Sequence, residues 1–193
     1  MGQRSQIYVR YNDEENKRRL LARYFQWNFS DSMISRANYT MLHLADVVSD
    51  TGKIGRFNVE KIIRVIDTNF DMKDIIFSYD IWEDIDMFDE DNYKFIFNQD
   101  NNDGQLFIDV TSGTVKYCFM KFYDYGEPMT AKEYMEWDSG HNWENEIEWL
   151  TSEEIECVKS NIETIDTIAE LMSKEELDIF LKDDYSHMYE QGE

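Results

Sequence analysis

Proline is almost missing from this chain: Pro128 is the single one among 193 residues. The fold it specifies therefore has few rigid loops. Cysteine is nearly as scarce. Cys118 and Cys157 form no disulfide framework, and two thiols in a chain without a secretory signal fit a reducing, cytoplasmic setting. No apolar run approaches the roughly 18–20 residues that a membrane span needs. The opening residues Met1 to Gln6 contain no apolar stretch of the secretory kind, and Gln6 stands where a myristoylation signal at Gly2 wants Ser or Thr. Cations are also in short supply. Against 41 acidic residues stand 19 basic ones, a net charge of −22. Such a surface repels phosphate backbones and anionic membranes, which argues against direct nucleic-acid binding and favours a basic partner.

Apolar and aromatic residues are present in quantity. Hydrophobic residues make up 42% of the chain and aromatics 15%, enough buried surface to offset the entropy of ordering despite the charge. The length fits a single domain or one domain with an appendage. Charge is unevenly distributed. Residues 1–64 carry 11 basic and 7 acidic side chains, a net of +4; residues 65–193 carry 8 and 34, a net of −26. Asymmetry of this kind hints at an electrostatic partner.

Alternation of Ile7, Val9 and Tyr11 with Gln6, Tyr8 and Arg10 predicts a strand over 3–12, and the aromatic-rich 20–29 a second strand closing a hairpin. Ser30 is placed to cap a helix of about 18 residues, with Ile34, Ala37, Met41, Leu44 and Val48 on one stripe and Gly52 beyond its end. A shorter helix is expected after Asn58, and a short strand at 74–79. Asp103-Gly104 between apolar runs predicts a hairpin of 93–99 with 104–110, followed by a strand over 114–124 after a turn at Ser112-Gly113. Beyond Pro128 the pattern becomes helical. Thr130 with Glu133, Thr151 with Glu154 and Ser173 with Glu176 have capping-box spacing. Ile155, Val158, Ile162, Ile165, Ala169 and Met172 make a seam too short for a free coiled coil. The expected fold is α+β: an N-terminal hairpin and helix, an antiparallel sheet, and a helical C-terminal part. It divides into an α+β unit over 1–150 and a helical hairpin over 151–193 packed on it.

Two acidic stretches are candidate partner-binding surfaces. Over 80–91, Asp80, Glu83, Asp84, Asp86, Asp89, Glu90 and Asp91 interleave with Ile81, Trp82, Ile85 and Phe88, which predicts an amphipathic helix with its carboxylates outward. Such a row can stand in for phosphates, which a duplex presents at one charge per ~1.7 Å of axis. Over 133–156, Glu144, Glu146 and Glu148 lie among Trp143 and Trp149, acids and aromatics of the kind an interface uses. Either stretch would otherwise be a solvated face with its tryptophans in the core. A basic cluster at Lys17, Arg18, Arg19 and Arg23 is expected to pair with the chain's own acids.

Catalytic and cofactor signatures are weak. An EF-hand reading of 98–109 fails in register: with Gly104 at loop position 6, Gln99 and Val110 occupy the two charged-ligand positions. His43, His141 and His187 are far apart, and the spacings His141/Glu144 and His187/Glu190 lack a third ligand. Asp71-Met72-Lys73 is too short a match to a nuclease pattern to carry weight. The chain has no phosphate-binding glycine loop, no Gly-x-Ser-x-Gly and no Cys-x-x-Cys, and no cofactor is implied.

The stretches Met1-Gly2-Gln3-Arg4-Ser5-Gln6-Ile7-Tyr8-Val9-Arg10-Tyr11, Tyr24-Phe25-Gln26-Trp27-Asn28 and Met33-Ile34-Ser35-Arg36-Ala37 resemble a family of small phage and mobile-element proteins of Gram-positive bacteria. The resemblance covers about the first 40 residues and brings no catalytic residue with it. It implies a mobile-element setting. In size, charge and lack of catalytic motif the chain is also similar in type to acidic anti-CRISPR and anti-restriction inhibitors. The expected partner is then a basic nucleic-acid-binding protein such as a CRISPR effector, possessing a groove the carboxylates can block. Two other classes stay open: an adaptor using a tryptophan-rich helical surface, and a metal-dependent enzyme whose site forms only on folding.

Overall fold

In the computed structural model, residues 4–16, 18–26, 28–48, 53–55, 79–84, 103–121 and 127–189 are described. The N-terminal alternation closes as a hairpin. Strands β1 (Arg4–Asn12) and β2 (Arg18–Gln26) pair antiparallel, with Asn12 opposite Arg18. The turn between them places Asn16 at φ 63°, a left-handed conformation that asparagine tolerates. Strand β3 (Tyr79–Asp84) pairs antiparallel with β2. β4 (Gln105–Asp109) and β5 (Lys116–Met120) form a second hairpin, turned through Ser112-Gly113 with Gly113 at φ 89°. A two-residue β6 (Glu170–Leu171) completes a six-stranded sheet in the order β3-β2-β1-β4-β5-β6.

The class is α+β as expected, but the sheet is mixed. β1 runs parallel to β4, and β5 parallel to β6. A parallel pair needs a long crossover. The chain between β1 and β4 supplies one that contains α1 (Ser30–Val47). Both edges of β4 are filled, by β1 and β5, which leaves no edge for the hairpin partner expected at 93–99. That segment, the helix expected after Asn58 and residues 74–78 of the strand expected over 74–79 lie outside the described residues; Tyr79 is the first residue of β3. Residues 79–84 are a correction to the sequence reading. They form strand β3 rather than the start of an amphipathic helix, because pairing along β2 supplies backbone partners that a period of 3.6 residues does not anticipate.

Four more helices follow: α2 (Ala131–Ser139), α3 (Trp143–Glu146), α4 (Ser152–Ile168) and α5 (Lys174–Tyr189). The capping boxes at Thr130/Glu133 and Thr151/Glu154 are complete. At Ser173 the Glu176 N–H donates to the serine Oγ while Glu176 accepts the Ser173 N–H. α1 departs from expectation at its start. Its N-cap is Phe29, not Ser30, and Phe29 has no side-chain acceptor to offer.

One face of the sheet presents Ile7, Val9, Leu106, Ile108, Tyr117 and Phe119 to α1, α2 and α4, and this is the main core. Period-two alternation turns Tyr8, Phe107 and Cys118 to the other face, where α5 covers them. Phe107 stacks on Tyr8 and meets Phe180 edge-on, and Cys118 Sγ touches Met172 Sδ. The seam of α4 faces α1 through Val158, Ile162 and Ile165. α4 and α5 thus lie on opposite faces, with β6 as the crossing between them, in place of the helical hairpin expected over 151–193. Gly104 shows how tightly the sheet edge meets α2. Its φ is 93°, and an added Cβ would come within 3.1–3.2 Å of the Met120 carbonyl and the Trp137 and Tyr134 rings.

Candidate interaction surface

α1 and α4 run parallel. Asn38 Nδ2 donates to Asn161 Oδ1 at 2.8 Å, and Asn161 Nδ2 donates to Ser35 Oγ at 3.2 Å. Near the start of both helices Asp31 feels the charge of Glu154. Near their ends Ala45 and Val48 share a cleft with Ile168 and Ala169. With its inner stripe fixed against α1, α4 turns Glu153, Glu156 and Glu163 outward, Asp166 sits on its flank where it accepts from Tyr117 Oη at 3.1 Å, and Glu170 follows on β6; all five are exposed. Glu156 and Glu163 are seven residues apart on the side opposite Val158, Ile162 and Ile165, while Glu170, on β6, stands opposite Lys116 in the β5/β6 register. At 1.5 Å per residue, Glu153 to Asp166 extends about 20 Å, one carboxylate per about 6.5 Å. That is about half the charge density of one nucleic-acid strand.

Few cations answer this row. Lys159 lies between Glu144 at 2.9 Å and Glu156 at 3.1 Å, and the Glu144 carboxylate is the largest influence holding its ammonium proton on more firmly than usual. Glu154 is held below the usual carboxylate range by the Thr151 backbone N–H and hydroxyl. Lys174 is paired with Asp178, and Lys116 with Glu176. Among the described residues, Glu148, Glu153, Glu163 and Glu175 have no ion-pair partner, while Glu170 stands opposite Lys116 and adds to the field that holds its proton.

The tryptophans separate. Trp143 is 2% exposed and belongs to the core, so its expected partner-binding role is corrected: α3 turns its ring under α2 and α4. Trp149, two residues before the Thr151 cap, is 60% exposed. It stands between the exposed Glu148 and the acidic outer face of α4.

The first acidic run takes a different position. The β2/β3 register sets Asp80 opposite Arg23 and Asp84 opposite Arg19, with Glu83 opposite Leu20. The part of the run on β3 is thus aligned in backbone register with β2, the strand that carries Arg19 and Arg23. Asp86, Asp89, Glu90 and Asp91 lie outside the described residues, and of Glu146 only the backbone is described.

Sequence reasoning missed Glu163, Asp166 and Glu170. For Glu163 the available signal was the seven-residue repeat, which was used for the core seam but not for the opposite face. It also missed a carboxylate cluster at the start of α1. There Asp138 has its pKa pushed up to about 7, first by burial and then by Asp103, although the Ser30 backbone N–H and the Ser139 side chain favour its charged form. Asp31 is also raised, chiefly by burial. Tyr134 Oη donates to the Asp103 carbonyl at 2.9 Å beside them. Among the described residues no three His, Cys, Asp or Glu side chains are arranged to hold a metal ion, and no helix is long and apolar enough to cross a membrane. His141 reaches Glu136 at 3.8 Å, with its ring in solvent.

No family model, no curated protein and no solved structure matches the chain. The kinship expected from its first 40 residues rests on that stretch alone.

Proposed function

We propose that this protein is an acidic inhibitory binding protein of mobile-element origin, and that it docks on the basic nucleic-acid groove of a host defence enzyme. A type II RNA-guided nuclease is the first target to test. The observation that carries this reading is the outer face of α4. It displays Glu153, Glu156 and Glu163, with Lys159 as the one cation on the helix and Trp149 exposed at its head. Fixed carboxylates on a rigid helix steer a basic partner and meet its Arg and Lys side chains. An exposed tryptophan at the end of the row supplies apolar contact area of the kind that anchors interfaces. The charge spacing supports electrostatic complementarity to a groove rather than a replica of a duplex.

Of the two acidic stretches singled out in the sequence, 80–91 and 133–156, this reading rests on the second, through Glu153 and Glu156, and extends it along α4 to Glu163. Binding to the guide-free and guide-loaded nuclease, measured at low and high salt, tests the reading. Tight binding that weakens steeply with salt is expected. A variant with Glu153→Gln, Glu156→Gln and Glu163→Gln together should lose it, while Glu175→Gln on α5 should not. Unchanged binding by the triple variant would overturn the assignment of this face.

A further inference from the structure

α1 and α4 lie side by side at a constant offset. Asp31 is in the field of Glu154, Asn38 is bonded to Asn161, and Ala45 and Ile168 line one cleft. Each partner on α4 stands 123 positions beyond its mate on α1, and both sets advance in steps of seven residues. We propose that the middle layer, the Asn38–Asn161 pair, is a register key: it fixes how α1 and α4 are aligned along their length, and so where the acidic outer face of α4 stands against the sheet. The key does not depend on what that face binds.

The apolar part of the seam does not choose an alignment sharply. Ile34, Ala37, Met41 and Leu44 on α1 and Val158, Ile162 and Ile165 on α4 recur every three or four residues, so apolar meets apolar again after a slip of one turn. The asparagines do choose. Asn38 is 5% exposed; its Nδ2 donates to Asn161 Oδ1 at 2.8 Å, and Asn161 Nδ2 donates back across the seam to Ser35 Oγ at 3.2 Å. A slip of one turn in one direction sets Asn38 against Val158 and Asn161 against Met41. In the other direction Asn38 meets Ile165 and Asn161 meets Ile34. All four are buried apolar side chains. Either slip strips both amides of their bonds, and a buried polar group without a partner is costly. The native alignment itself is not free of cost. Asn38 Oδ1 is buried with no hydrogen-bond donor among the described residues. Leucine, which branches at the same carbon, would avoid that cost, so stability alone does not account for the pair. A single polar position in an apolar helix seam specifies register at the expense of stability.

The test is a distance between two spin labels on the full chain. Asp46→Cys near the end of α1 and Ser152→Cys at the start of α4 carry them; both positions are exposed. Cys157→Ser removes the exposed native thiol, and Cys118 is buried. At 1.5 Å per residue the labelled positions lie about 25 Å apart along the helices. The parent should give one distance. Asn38→Leu with Asn161→Leu should keep the helical circular dichroism and melt no lower than the parent. It should also show a second distance, about 5 Å from the first, one helical turn, in at least a tenth of the molecules. Asn161→Asp, whose carboxylate still accepts from Asn38 Nδ2, should keep the single distance. A folded leucine pair with one unchanged distance overturns the key whatever its melting temperature, and so does a second distance in Asn161→Asp. If the leucine pair does not fold, Asn38→Ala with Asn161→Ala is measured in its place with the same two outcomes. Loss of the fold in both pairs also overturns the key, because the contact is then one the fold needs for stability. No reading here passes through the nuclease, so the key and the proposed function stand or fall separately.

Discussion

Asp138, in the last turn of α2, lies beside the backbone of Ser30, the first residue of α1, a helix whose own N-cap residue offers no side-chain acceptor. The helix N-terminus favours the carboxylate, while burial and Asp103 disfavour it. The balance goes against the charge, and the group titrates at about 7 instead of the ordinary 3.8. Between those values the folded protein keeps a proton that the unfolded chain has released. Stability from this group therefore falls as pH rises through that window and is level above it. Asp138→Asn keeps an oxygen beside Ser30 and removes the titration. Urea denaturation should show the variant equal to the parent near pH 4 and progressively more stable up to pH 7, by about 2–4 kcal/mol. A constant difference across that range would exclude this origin.

Trp143 and Trp149 should behave as opposites. Trp143→Ala opens a cavity in the main core and should cost about 3–5 kcal/mol. Trp149→Ala should shift the melting temperature little, in keeping with about 0.5 kcal/mol or less for exposed positions, while weakening partner binding tenfold or more. Thermal melts and the nuclease binding assay, run on both variants, check the pair.

Arg10 links the sheet to α5. Its Nε donates to Asp109 Oδ2 at 3.0 Å, and its guanidinium lies 4.2 Å over the Phe180 ring centroid. Arg10→Ala leaves the half-buried Asp109 without its cation and removes a contact under α5. A loss of about 3–5 kcal/mol is expected. Limited proteolysis should show α5 becoming cleavable before α4. Simultaneous loss of both helices would argue against α5 being held by this contact.

The two thiols should react at different stages. Cys157 is exposed on α4, while Cys118 is buried under α5 and burial pushes its thiol well above the usual range. A thiol reagent should modify one cysteine in the native protein and the second only on unfolding. Native modification of both would place Cys118 wrongly.

Local chemistry was legible without the fold. The alternation at Ile7, Val9 and Tyr11 marked β1; the stripe from Ile34 to Leu44 marked α1; Thr151 with Glu154 marked the start of α4. Each depends on neighbours a few residues away, which the chain itself supplies. What faces what was not legible in this way. Asp80 to Asp84 carry the apolar and acidic mixture of a helix surface, yet they pair along β2 because a strand edge was available there. Trp143 and Trp149 are alike in sequence context, and only the turn at α3 sends one ring inward. The acidic face of α4 exists because Val158, Ile162 and Ile165 are committed to α1, and the cleft at its end because the two helices run parallel. The periodic residues determine which elements form. The order of the strands and the direction of the helices, set by contacts between residues a hundred or more positions apart, decide which charges are left facing solvent.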